Sequence, residues 1–245
     1  MRTLPFALFF VLVLTGVSQF AATPVSAKNT VQVTKHSIRI NNINYRRNKA
    51  EDAALGSFGV RRGGARPFFE HEFDWIAGDL KIKEPTTVTL TSDLQRQFNL
   101  SAAVDLSKKA SGSGSVGGSG SVDASYTLVK LTVADKFQAM DQINKSRKTV
   151  ERLKSIKKAK SIRMITEVWV LVKGTESQTS SFVGSGEATY KQASGSFSVA
   201  SSSGSTFSFS AGSVMAYTFD RIKFDSKHQK KWSKVISLDT DIYRK

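Results

Sequence analysis

The alternation of apolar and polar residues changes rhythm repeatedly along this chain, and each change predicts an element. Val31, Val33, Ile38 and Ile40 recur within residues 31–43 at the spacing of a strand pair or one bent strand. Residues 45–66 lose that rhythm and collect Arg46, Arg47, Lys49, Arg61, Arg62 and Arg66 among glycines, which predicts an exposed basic loop around one short helix at 49–55. An aromatic and acidic cluster follows at 68–75. Strand spacing then returns at Val88 and Leu90, and again at Phe98, Leu100, Ala102, Val104 and Leu106.

Residues 107–125 are the most biased in the chain, with five glycines and seven serines. Alternating apolar segments flank them, so they read as the middle of a long hairpin rather than a linker. Residues 134–159 then take a helical period. Asp135 caps the start, Gln138 stands three residues on, and Phe137, Met140, Ile143, Val150, Leu153 and Ile156 form one apolar stripe. The opposite face carries Lys145, Arg147, Lys148, Arg152, Lys154, Lys157, Lys158 and Lys160, opposed by Glu151.

Residues 162–173 are apolar on both faces, as a central strand requires. A second serine- and glycine-rich segment spans 177–213, a buried strand spans 214–224, and a basic tail with Lys227, Lys230, Lys231 and Lys234 follows. The pattern is hairpin, helix, hairpin. It predicts an α+β fold, mainly an antiparallel twisted sheet with long hairpins and one basic amphipathic helix.

The beginning of the chain adds a cellular destination. Arg2, the apolar run from Phe6 to Leu14 and the small residues of Val25-Ser26-Ala27 have the layout of a cleavable signal peptide over 1–27. The run falls short of the roughly 20 apolar residues that a membrane span takes. Residues 28–245 then form a single β-rich domain, exported as a secreted or periplasmic protein with membrane association. No cysteine is present, so packing and sheet hydrogen bonds replace disulfides.

Charge narrows the partners. The chain carries a formal net charge of +16, which attracts polyanions, and for an exported protein these are acidic membrane lipids or anionic surface polymers. A basic helix face has two readings, a solvated surface or a lipid platform. Nucleic acid would meet the same electrostatics, but no base-reading module accompanies the charge and the signal peptide argues against it, so no nucleic-acid partner is expected. Catalysis has little to work with. The histidines are His36, His71 and His228, no HExxH, GxSxG or P-loop occurs, and Glu70, His71, Glu72 and Asp74 are the one acid-imidazole grouping. Strand alternation puts Glu70, Glu72 and Asp74 on one face and His71 on the other, so the expectation is no enzyme, no metal and no cofactor.

Two stretches carry a resemblance. Ile165-Thr166-Glu167-Val168-Trp169-Val170-Leu171-Val172-Lys173 and the alanine-tyrosine strand within residues 211–224 resemble core strands of the amino-terminal pore-forming domain of gasdermins. The order of hairpin, helix, strand, hairpin and strand over residues 98–224 is similar too. The resemblance implies a homo-oligomer on acidic lipids that inserts residues 100–133 and 182–211 as hairpins of a β-barrel pore. The basic residues between Lys145 and Lys160 become its lipid contacts. The alternative is a non-catalytic exported module that binds an anionic envelope or cell-surface polymer.

Overall fold

The computed structural model of the chain describes residues 31–64, 67–83, 85–91, 93–94, 126–157, 159–173, 188–193, 196–201, 206–210, 213–226 and 231–241. The two strands with apolar residues on both faces form its axis. β9 (Ile162–Lys173) and β13 (Val214–Phe224) run antiparallel, with Tyr217 opposite Val168 and Arg221 opposite Arg163. Their bounds are those that the hydrophobic pattern predicts.

The outer edge of each axial strand is divided between two partners. Along β9, β8 (Tyr126–Thr132) takes residues 167–173 and β4 (Phe58–Arg62) takes residues 162–164. Along β13, β3 (Ile43–Arg46) meets Tyr217, and β14 (Val235–Thr240) takes residues 220–224. The sheet extends through β7 (Thr86–Leu90) on β8, and through β5 (Phe68–Phe73) on β4. β1 (Val31–Val33) and β2 (Ser37–Ile40) complete a meander with β3. Of the two arrangements expected for residues 31–43, a strand pair or one bent strand, the pair forms over residues 31–40, and Ile43 begins the third strand of the meander.

A second sheet has the order β12 (Thr206–Ser210), β11 (Ser196–Ser201), β10 (Ala188–Ala193) and β6 (Leu80–Ile82). β6 joins the two sheets, because Ile82 lies opposite Ala188 on one side and bridges Val133 on the other. The second serine-rich segment is thus a three-stranded meander rather than one hairpin. Residues 95–125, the middle of the first predicted hairpin, lie outside the described residues.

Both faces of the axial sheet are covered. On one, Ile162, Met164, Val168, Val170, Tyr217 and Phe219 pack under the helices, β4, β5 and the second sheet, which contributes Tyr190 and Val199. On the other, Trp169, Leu171, Leu128 and Ala216 pack against Ile38, Ile40 and Tyr45 of the first meander. Each fully buried large apolar side chain contributes about 1.5–3 kcal/mol, so this two-sided burial is the main source of stability. Phe58 stacks on Phe73 and Trp75 with centroids 4.8 and 5.9 Å away. Next to it, a Cβ on Gly59 would stand 2.6 Å from the Phe69 ring and 2.2 Å from the Glu70 carbonyl oxygen. Glycine there lets Phe69 lie across the β4 backbone.

Several sequence expectations need correction. Residues 134–159 form two helices, α1 (Lys136–Lys145) and α2 (Arg147–Ser155). Ser146 is extended, with φ −87° and ψ 95°; its N–H closes α1 on the Gln142 and Ile143 carbonyls, and its Oγ opens α2 by accepting from Thr149. The seven-residue step from Ile143 to Val150 conceals this break, because it fits a continuous stripe. Phe137 leaves that stripe and is 79% exposed, while Ala139, Met140 and Ile143 face the core. The Asp135 cap does form, its carboxylate accepting from the N–H groups of Phe137 and Gln138.

The described part of the predicted basic loop, residues 45–64, is not an exposed loop. These residues supply the end of β3, a 3-10 turn at Ala50–Asp52 and the whole of β4, and Tyr45 and Arg46 are buried. The basic tail contains β14, whose Val235 and Leu238 are buried and cover the lower half of β13. Asn144 of α1 fastens β14, donating to the Val235 carbonyl at 3.0 Å and accepting from its N–H at 2.8 Å.

Candidate anionic-surface interface

The cations predicted to meet lipid are divided by local pairing. Lys145 sits 2.7 Å from Asp141 and Arg147 sits 2.8 Å from Glu151, each one helical turn apart. Glu151 holds the Arg147 guanidinium above its ordinary range through that hydrogen bond. Lys148, Lys157 and Lys160 are exposed. Arg152 is exposed but its guanidinium lies 5.6 Å over the Phe73 ring, and half-buried Lys154 places Nζ 5.1 Å over Trp232. Lys158 lies outside the described residues. α2 and the turn after it therefore present Lys148, Arg152, Lys157 and Lys160 to water, while Lys154 is held against an aromatic ring.

The strand ladder fixes where this surface lies. Leu90 is opposite Tyr126, Tyr126 is opposite Lys173, and Val214 is opposite Val170. The connection from β7 to β8 and that from β9 to β13 therefore leave the same end of the four-strand run β7-β8-β9-β13. The helices connect Thr132 to Ile162, at the other end. Both serine- and glycine-rich connections emerge side by side, and the basic helix pair stands at the opposite end of the strands.

The acid-imidazole cluster is also rearranged. β5 ends at Phe73, so Asp74 is free of the strand alternation and turns back to His71, with Oδ1 2.8 Å from Nε2. The Asp74 hydrogen bond holds the His71 pKa above its ordinary value; burial opposes the shift, and the charges of Asp74, Asp52 and Glu72 reinforce it. Glu70 instead pairs with Arg62. Among the described residues no group of three or more His, Asp or Glu side chains could hold a metal ion.

A second basic cluster escapes sequence reasoning. Arg46 of β3, Arg61 of β4 and Arg163 of β9 converge on Asp241, just beyond β14, at 3.3, 3.8 and 2.8 Å. Arg46 is 1% exposed and its guanidinium rests 3.9 Å over the Phe219 ring. Burial pushes the Arg163 pKa down, Asp241 pulls it back, and Arg61 and Arg221 push it down again by like-charge repulsion. The sequence holds one clue, an arginine at 163 between the apolar Ile162 and Met164 of a strand with apolar residues on both faces.

No family model, curated protein or solved structure matches this chain. No helix among the described residues is long and apolar enough to cross a membrane, which leaves β-strand crossing untouched.

Proposed function

We propose that this is an exported membrane-active protein that engages acidic lipids, oligomerises and inserts its two serine- and glycine-rich connections as β-hairpins of a pore. One observation carries the reading: both connections extend adjacent antiparallel pairs, β7 with β8 and β9 with β13, from the same end of one sheet. Strands extended in that direction would continue an existing hydrogen-bond ladder. A membrane-spanning strand takes about 9 to 11 residues, and residues 91–125 and 174–213 have that length to spare in each arm. The gasdermin-like order of elements points the same way.

Insertion requires the meander of β10, β11 and β12 to leave β6. The measurement is dye release from vesicles rich in phosphatidylserine, using protein with Lys81→Cys and Thr189→Cys, which lie opposite each other in the β6–β10 ladder. The oxidised form should bind vesicles without releasing dye, and reduction should restore release. Equal leakage from both forms would exclude insertion of the second connection.

The separation of the helices from the connections favours a second reading, a module that binds an anionic polymer or membrane without insertion. A flat surface meets both ends only if the sheet lies along it. That reading predicts vesicle binding with no dye release in either redox form.

A further inference from the structure

The arginine cluster is built like an oxyanion site whose present occupant is part of the chain. Three like charges from three strands are brought within 4 Å of one carboxylate. Two of them, Arg46 and Arg163, have side chains 1% and 8% exposed, so water screens their repulsion poorly. Arg163 is held in position by donating to the Lys160 and Ile162 carbonyls, and Arg46 by Phe219 beneath it. The cluster is thereby preorganised around the point where Asp241 places its two oxygens.

Asp241 is a modest match for that surrounding. It brings one negative charge and accepts from Arg163 Nε at 2.8 Å and Arg46 Nη2 at 3.3 Å, while Arg61 Nε stays 3.8 Å away. Its backbone is held by the Arg46 contact to its carbonyl at 3.1 Å and by an N–H bond to Phe219 at 3.3 Å. It lies at the open side of the cluster, 19% exposed, beside Arg61 at 38%. A tetrahedral dianion would bring twice the charge and more acceptor oxygens to planar guanidinium forks that suit phosphate geometry.

We propose that Arg46, Arg61 and Arg163 form a binding site for a phosphate dianion, free or as a monoester headgroup, in which the Asp241 carboxylate is an exchangeable stand-in. The anion enters past Arg61, displaces Asp241 from Arg163 and Arg46, and takes Arg61 as a third partner. Binding here is independent of pore formation, so absence of dye release leaves it intact.

The test is calorimetric titration of inorganic phosphate at constant ionic strength into the wild type, Asp241→Asn and Arg61→Gln. Asp241→Asn removes the competing carboxylate and should bind phosphate about tenfold tighter than wild type or more, while Arg61→Gln should bind about tenfold more weakly. Arg61→Gln alters a partly exposed side chain and keeps the test usable should Asp241→Asn fold poorly. Vesicles bearing phosphatidate then compete with inorganic phosphate if the natural ligand is a lipid headgroup, and fail to compete if it is free phosphate. Phosphate affinity that is the same in Asp241→Asn and wild type, or unchanged in Arg61→Gln, would overturn the proposal.

Discussion

Positive charge is used in two opposite ways in this molecule. On α2 and the turn after it, Lys148, Arg152, Lys157 and Lys160 stand in water, and the neighbouring Lys145 and Arg147 have acid partners one turn away. Around Asp241, three arginines are drawn partly or wholly out of water and share one carboxylate. Exposed charges are screened over about 10 Å at ordinary salt and contribute little to folding, so the helix face is free to serve a partner. Buried charges interact strongly and tolerate neither loss of a partner nor change of shape. The helix supplies long-range, undiscriminating attraction, and the cluster supplies a fixed geometry.

The largest expected effect separates these roles. Changing Lys148, Arg152, Lys157 and Lys160 together to Ser should weaken binding to phosphatidylserine vesicles by on the order of 100- to 1,000-fold at low salt, since each cation near an anionic surface is worth about 1 kcal/mol. Folding stability by urea titration should move by less than about 1 kcal/mol. Vesicle co-sedimentation unchanged by the four substitutions would reduce the helix face to a solvated surface.

Asp241→Ala should give the converse. It leaves three guanidiniums crowded without their shared carboxylate, and breaking such a partly buried pair costs about 3 kcal/mol in the same urea titration. Binding to phosphatidylserine vesicles should hold near wild type. A stability loss no larger than that of the helix variant would show that the cluster is as well solvated as the helix.

Conservative exchange sharpens the contrast further. Arg163 uses Nε for Asp241 and Nη1 for two backbone carbonyls, a fork that a lysine ammonium cannot reproduce. Arg163→Lys should therefore cost about 1–3 kcal/mol of stability, while Arg147→Lys, 92% exposed, should be neutral within about 0.5 kcal/mol. Thermal unfolding of the two single variants makes the comparison; similar melting temperatures would erase the distinction between the regions.

What could be read in the sequence follows the range of the interactions. β9 and β13 were legible to the residue because burial on both faces leaves apolar residues at neighbouring as well as alternate positions, Val168 to Val172 in β9 and Val214 to Tyr217 in β13. The Asp135 cap was legible because its partners stand two and three residues away. The break at Ser146 was not, since one serine ends α1 and starts α2 without disturbing the apolar spacing across it. Phe137 fell on the wrong side for the same reason: steps of three from 137 to 143 imitate a stripe, whereas the buried positions are 139, 140 and 143. β14 hid among lysines because its buried residues, Val235 and Leu238, are few. The arginine cluster was beyond reach of local reasoning, as Arg46 and Asp241 are 195 positions apart and only the sheet brings them together.

His71 and Asp74 lie between the two extremes, a half-exposed pair whose charge depends on pH. The side chains are 34% and 41% exposed, so solvent screens the pair and its contribution is small. Asp74 raises the folded-state pKa of His71 above the ordinary 6.5, with Asp52 and Glu72 acting in the same direction and burial against it. A raised folded-state pKa means that the folded protein binds the proton more tightly than the unfolded chain does. The stabilisation is then complete below about pH 6.5 and disappears as pH rises through the folded-state value. Asp74→Asn removes the main cause, so its melting temperature should fall relative to wild type by roughly 1–3 °C at pH 5.5 and by less at pH 8. Scanning calorimetry of both proteins at the two pH values measures the difference of differences. An equal deficit at both would mean that the imidazole is neutral throughout and that this contact, like the Asn144 bond to β14, is an ordinary hydrogen bond rather than a charge pair.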